Sequence, residues 1–443
     1  MNVYGIELKR SAALGAALLA LAVGVTALYV APARWSTGWV SLAMTSREYT
    51  ILLWPLALAA GAWQGRREHR AQVGELFTST PRPRSQRMMP VLAAMGGALA
   101  VAYVLVVAAG GASLLSPSHY FSPDFLVITA VGVLSLVAAA CLGLGLGRLF
   151  PALATAPVLG VAGVLLVFFS AVTNPDWLAA VLSPMYGTGQ FYGFQTIAGG
   201  VSAAVSIWMV ALAVTGVVLL VAGNAKARAA AVLPALIGLG LATAVVPRDH
   251  DTLTAPVDPV ARELVCTDDA PKVCVTRVNR NVLGALAPKA REGLAVLAKM
   301  PGAPTAVHEN ATAFTLDEYE QPRDDTVVTL TLRLDRDGGL AHPDVVIYDV
   351  VNGLGVRGDL KCPRNPAVER AAVSWLLGRE PVSDQGLIPE VTFEEPSLNA
   401  EAVPLWRALR KLPEAEALAR VVAVRDAIVN CQDTTGLLSR SAR

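Results

Sequence analysis

Charge is scarce in this 443-residue chain. Asp, Glu, Lys and Arg together make 16% of it, against about 25% in soluble domains. Hydrophobic residues make 54%, and the mean hydropathy is +0.49. That balance excludes an ordinary soluble domain and implies an integral membrane protein. A formal net charge of +1 leaves no basic footprint for a nucleic acid. No G-x-x-x-x-G-K-[ST] loop occurs anywhere, so this chain cannot hydrolyse ATP by that route on its own. No Ser or Cys stands in a G-x-S-x-G setting, and acids such as Asp324, Asp325, Glu394 and Glu395 read as a solvated surface. His308-Glu309 opens like the zinc motif H-E-x-x-H, but the fifth position is Thr312, so the second ligand is missing. His250 and His342 show no complementary spacing. The sequence therefore predicts neither a catalytic constellation nor a metal site.

What charge there is lies unevenly. Up to Pro247 the chain consists of apolar runs separated by short loops; beyond it, charged residues are frequent and no run reaches spanning length. The expectation is a membrane domain over 1–247 and a separate domain over 248–443. A helix needs roughly 20 mostly apolar residues to cross the hydrocarbon. Seven segments qualify or come close: about 11–31, 50–64, 88–110, 124–147, 151–172, 199–222 and 229–246. The second is short and contains Pro55, so it spans only with its flanks, from Arg47 or so. Ala31-Pro-Ala33 resembles a signal cleavage site, but the apolar run before it is longer than the ~7–15 residues of a signal h-region. A retained first helix is the expectation. The spanning cores contain no Asp, Glu, Lys or Arg, which argues against a proton-coupled carrier.

The loop from Gly65 to Arg87 carries Arg66, Arg67, Arg70, Arg82, Arg84 and Arg87. Short basic loops stay in the cytoplasm. With the N-terminus inside, Lys9, Arg10, those six arginines, Arg148, Lys226 and Arg228 face the cytoplasm, and only Arg34 and Arg47 fall in the outer loops among the spans. Seven spans then put the 248–443 domain outside. Four of five cysteines, Cys266, Cys274, Cys362 and Cys431, lie in that domain. They are either free buried thiols or two disulfides, which suit an oxidising compartment. Of three pairings the spacing favours Cys266–Cys274 with Cys362–Cys431. Within the spans, Gly143, Gly145 and Gly147 look like a nucleotide loop only superficially; small residues at that spacing let helices pack closely.

Between the fifth and sixth spans Pro175, Trp177, Pro184, Tyr186, Phe191, Tyr192 and Phe194 crowd together. Trp and Tyr favour the headgroup level, so short re-entrant or interfacial helices are expected there. This is either an aromatic belt or an outer gate closing a translocation path. The last domain reads as α+β: a helix over 281–299, a strand over 326–335 with clean period-2 alternation, a further strand at His342–Val350, and helices over 367–378 and 404–430, the latter broken at Pro413.

The polar loop has its own shape. Arg66 to Phe77 can form a charged helix, and the Thr/Ser/Pro run after it is a stop. A basic lipid anchor accounts for its arginines but needs neither Glu68 and Glu75 nor the apolar pair Leu76 and Phe77. Arg66, Arg67, Glu68, His69, Arg70, Gly74, Glu75, Leu76, Ser79, Thr80, Pro81 and Arg82 together resemble the first inner loop of actinobacterial ABC-2 type transporter permeases. The likeness extends over roughly residues 1–225; the seventh helix and the appended domain depart from it. It implies an α-helical polytopic permease of about seven spans with an extracytoplasmic α+β domain, working as a dimer, most simply as an exporter. The driving force would come from a separate ATPase subunit that binds ATP and Mg, with no cofactor in this chain. Arg66, Arg67, Arg70 and Glu75 would make charged contacts with that subunit, and Leu76 and Phe77 would bury in it. Two other classes stay open: a membrane-tethered extracytoplasmic binding or sensor protein, and a membrane enzyme acting on the cell envelope.

Overall fold

The computed structural model describes residues 11–70, 84–115, 120–185, 193–254, 256–312, 325–335, 338–356, 362–382 and 396–439. The chain divides into two compact units, Met1–Asp258 and Pro259–Arg443.

The first unit is helical. Its long elements are α1 (Ala13–Val30), α2 (Trp39–Glu48), α3 (Thr50–Gly65), the one-turn α4 (Arg67–Arg70), α5 (Arg84–Gly111), α6 (Asp124–Leu149), α7 (Thr155–Ala171), α8 (Asp176–Leu182), α9 (Gly199–Val221), α10 (Ala225–Ala230), α11 (Val232–Val245) and α12 (His250–Thr254). Among the described residues five helices are long and apolar enough to cross a membrane: Ala13–Val30, Ser85–Leu114, Asp124–Leu149, Gly199–Val221 and Ala225–Val245. Two of the seven expected segments fall short of that length, α3 at 16 residues and α7 at 17. The physical reason differs between them. α7 starts late, because residues 151–154 form the turn after α6, whereas α3 is preceded by a second helix. Only Tyr49 separates α2 from α3, and it is itself in the right-handed region (φ −69°, ψ −1°). The Tyr49 N–H donates to Thr45 O (3.1 Å), and the Leu52 and Leu53 N–H groups both donate to Tyr49 O (3.0 and 3.2 Å), so a single turn of mixed 3-10 and α bonding joins the two helices.

The expected outer loop over 32–49 is therefore mostly helix, and this corrects its reading as a loop. Every residue of α2 from Val40 to Arg47 is buried. Its one arginine, expected at an outer loop, is instead enclosed in the helical unit.

Glycine sets how closely these helices approach. A Cβ added at Gly143 would lie 2.1 Å from Leu58 O, and one at Gly147 2.1 Å from Ala62 O, both on α3. One added at Gly145 would lie 2.4 Å from Gly216 O on α9. α3 answers with Gly61 and Gly65, whose added Cβ atoms would meet Ala140 O and Leu144 O at 2.4 Å and 2.2 Å. Two glycine faces of α6 thus hold α3 on one side and α9 on the other, as the small-residue spacing predicted. On the opposite flank Gly24 of α1 receives Val106 of α5.

The second unit is α+β. β1 (Leu264–Cys266), β2 (Lys272–Thr276), β3 (Ala306–Glu309) and β4 (Val327–Leu330) form one sheet in the order β1-β2-β3-β4. β1 runs antiparallel to β2, and β2, β3 and β4 are parallel. The crossover from β2 to β3 carries a 3-10 turn (Arg277–Val282) and α13 (Leu283–Leu297), which buries Leu286, Ala290, Leu294 and Leu297. The expected strand at His342–Val350 is instead a 3-10 turn, Pro343–Val345, leading into a helix, Val346–Val351. Its apolar residues satisfy either period, and packing on α13 decides: a Cβ added at Gly293 would lie 2.7 Å from Val350 Cβ, leaving room for one helix against another. Further helices occupy Pro366–Leu376, capped by the Asn365 side chain, Pro396–Leu409 and Glu414–Val429. The last two are the helix expected over 404–430, broken at Pro413 as expected, except that its first part begins at Pro396 and holds Pro404 inside it. The cysteines pair as Cys266–Cys274 and Cys362–Cys431. The first pair bridges residues that are register partners in β1 and β2.

The glycine contacts predict a sharp contrast. Gly143→Val or Gly216→Val should lower the melting temperature in detergent, at about 1–3 kcal/mol for overpacking. Gly97→Ala, where an added Cβ meets nothing within 4 Å, should leave the melting temperature unchanged or slightly raised.

Candidate functional site

Two clusters of polar residues sit at opposite ends of the first unit. The end of α3 carries the arginines singled out from the sequence. Arg66 continues the helical conformation (φ −84°, ψ 0°), and the Arg70 N–H donates to Arg66 O at 3.0 Å. Arg66 is only 6% exposed. Its Nη1 donates to Ala152 O in the turn between α6 and α7 (3.0 Å), and its guanidinium lies 4.4 Å from the Trp63 ring centroid. Arg70 lies 5.5 Å from the same ring, and both Arg70 and His69 are exposed. Arg67 is half-buried. Glu68 lies in α4. Gly74, Glu75, Leu76 and Phe77 lie outside the described residues. At the same end Arg148 donates through Nη1 to Leu220 O, near the C-terminus of α9. Cations at helix C-termini meet the carbonyl end of the helix dipole, which stabilises both partners.

At the other end, the described part of the aromatic segment contains one short helix, α8, with Ser183 after it in the extended region. Trp177 of α8 lies under Arg248, whose guanidinium is 3.8 Å from the ring centroid. Asp176 is 3.2 Å from His250 Nδ1. Phe194–Thr196 is stitched to residues 256–258: the Thr196 N–H donates to Pro256 O (3.0 Å) and the Asp258 N–H to Phe194 O (2.9 Å). Thr196 Oγ1 also donates to Asp124 Oδ2 at the start of α6 (2.6 Å). Pro175 precedes α8 and Pro184 follows it. Tyr186, Phe191 and Tyr192 lie outside the described residues.

Sequence reading missed the residue that joins this segment to the bundle. Arg47 is 0% exposed, the largest fully buried side chain described in the chain. Its Nε donates to Pro184 O at 3.4 Å, and its backbone carbonyl accepts from Thr50 Oγ1 at 2.6 Å. Buried near it is Tyr103 of α5, 1% exposed, whose ring sits where Gly132 of α6 lacks a side chain. The available signal was the shortness of the second apolar run, which forces the helix to continue through Arg47. An arginine at such depth marks a functional position more often than a structural accident. A separate groove of about 510 Å³ between α1 and α5 is lined by Leu14, Leu18, Ala94, Gly97, Val101 and other apolar residues, so it offers no polar side chain for chemistry.

In the second unit His308 and Glu309 lie on β3, not on a helix. Successive strand residues face opposite ways, so the one-turn spacing of a zinc helix does not arise. Glu309 is 6% exposed. Its carboxylate accepts from the Thr276 N–H (2.6 Å) and Oγ1 (2.8 Å) and from Asn279 Nδ2, tying β3 to the start of the 3-10 turn. Burial raises its pKa above the ordinary 4.5, and the three donors pull the other way without cancelling that rise. Within the window just above 4.5 the folded state holds a proton that the unfolded state has released. Stability of this unit should therefore fall as pH rises through that window. Glu309→Gln should flatten the slope, which hydrogen exchange of residues 272–309 in the full chain, followed from about pH 4 to 8, would measure.

No family model, no curated protein and no solved structure matches this chain.

Proposed function

We propose that the chain is the permease subunit of an ATP-binding cassette exporter, moved by a separate ATPase through the arginine-bearing loop that follows α3. The observation that carries this reading is the arrangement at the end of α3. A helix held to α6 by glycine contacts ends in a turn that projects His69 and Arg70 to the surface while Arg66 fixes the base. A lever needs a stiff shaft and a fixed root, which α3 and Arg66 would supply, and the contacts with the ATPase would come from Gly74, Glu75, Leu76 and Phe77.

Sidedness follows from charge. The long helices alternate in direction, so Arg66, Arg70, Arg148, Lys226 and Arg228 share one end, and Arg34 and the aromatic segment share the other. The positive-inside rule places the first end in the cytoplasm. On this reading all seven apolar segments cross, α3 with the help of α2, and the disulfide-bonded second unit lies outside the cell membrane. Exposed apolar residues along α1, α7 and α11, among them Leu18, Leu166, Phe169, Leu236 and Leu241, face lipid or a second copy of the chain in a homodimer. ATP and Mg belong to the partner's site.

Purification in mild detergent should bring down a P-loop ATPase at one copy per permease chain. Glu75→Lys combined with Leu76→Asp should release it and stop ATP-dependent export. Recovery of the wild-type chain without any such ATPase would sink the reading, as would labelling of a cysteine at position 70 from outside intact cells.

A further inference from the structure

Arg47 is the penultimate residue of α2 and Arg66 directly follows α3, and the shaft is the stretch between them. Counted along α2, Tyr49 and α3 they are nineteen residues apart, or about 28 Å at 1.5 Å per residue. That is close to the ~30 Å thickness of the hydrocarbon core. Each guanidinium donates to a backbone carbonyl of a different segment: Arg66 to Ala152 O (3.0 Å), Arg47 to Pro184 O (3.4 Å). A backbone carbonyl is an acceptor that no side-chain rearrangement can withdraw, so each contact fixes the path of a chain segment.

A ligand-binding role for Arg47 would need space beside the guanidinium. At 0% exposure there is no room even for a water-sized probe. Its role therefore lies in what it holds. What it holds is the end of α8, the described part of the aromatic segment, which α12 and Arg248 also brace. The shaft between the arginines is stiffened from outside. Pro55 removes one rung of its ladder, but α6 lies against it at Leu58, Gly61, Ala62 and Gly65. α7 closes on Pro55 itself through Gly163, where an added Cβ would be 3.1 Å from Pro55 Cα.

We propose that Arg47 is a positioning residue, a latch through which displacement of the α3–α4 end is passed to residues 176–185 at the opposite end of the unit. The proposal rests on the permease reading only for what supplies the displacement; the contacts themselves need no ATPase. Truncating Arg47 frees the Pro184 carbonyl and lets α8 open. Truncating Arg66 frees the root of the shaft; the part of the disturbance that runs along the shaft reaches α8 through Arg47, and α7, which packs on α8, is a separate route.

Hydrogen exchange of the full chain in lipid nanodiscs, with no ATPase added, tests this. Arg47→Met should raise exchange of residues 176–185 about tenfold, the loss expected for a charge-assisted hydrogen bond, with residues 124–149 unchanged as a control for folding. Arg47→Gln, neutral and shorter, should do the same if Met is not tolerated. Arg66→Met should raise exchange of 176–185 about threefold in the native background and clearly less in the Arg47→Met background, because links in series are not additive. Unchanged exchange at 176–185 in both Arg47 variants would overturn the latch. So would Arg66 and Arg47 effects that multiply, since that is the behaviour of independent sites. Neither result bears on whether an ATPase co-purifies, so the latch and the permease reading fail separately.

Discussion

Backbone meeting backbone is the constraint on which the first unit depends. Gly143 and Gly147 bring α6 onto the carbonyls of Leu58 and Ala62, and Gly145 brings the same helix onto Gly216. Between apolar helices in lipid there is no hydrophobic force to drive association, because acyl chains are as apolar as leucine. What remains is dispersion at close range, and that falls off within a fraction of an ångström. A methyl group at any of these positions would push the helices apart and forfeit contacts along their whole length. The alternation of glycine and leucine in α6 is thus the device that lets one helix touch two neighbours at once.

That device was legible in the sequence because small residues at short spacing have few other uses inside a span. The Cys266–Cys274 pair was legible for a related reason: two cysteines eight residues apart suit a hairpin, and β1 and β2 place them as direct partners. Arg47 was legible only as the flank from which the second span had to start, not as a buried arginine. A loop arginine and a helix-interior arginine have the same neighbours in sequence, and hydropathy counts its charge against a span. The sequence signal was the shortness of the second apolar run, and the structure places a separate helix over Trp39–Glu48. The segment Val346–Val351 failed for a third reason. Its valines and tyrosine suit a strand, but the gap at Gly293 accepts a helix, and packing overrides propensity. For the arginine-rich loop itself, residues 74–77 lie outside the described residues, so its reading rests on charge and on the shape of its root.

The two units solve the problem of burying a charge in different ways. Glu309 has three donors converging on it and sits at the carboxyl ends of parallel strands, where loops diverge and leave room for such a knot. The cost of burying the carboxyl is offset by hydrogen bonds and by a pKa displaced toward the neutral form. A guanidinium has no neutral form at any ordinary pH. Arg47 must stay charged wherever the fold puts it, so its surroundings have to supply carbonyl dipoles, of which Pro184 O is one.

From this follows a reason for arginine at both ends of the shaft. A cation seeking carbonyls is satisfied best where a helix ends or a turn exposes its oxygens. Ala152 lies in the turn between two helices, and Pro184 lies just past the end of α8. A lysine would offer one flexible point charge at each place. The planar guanidinium offers a fan of donors whose direction is fixed, and it can lie flat on an aromatic face while it donates, as Arg66 does on Trp63. Two rigid forks at either end of a supported helix define where that helix sits along its own axis.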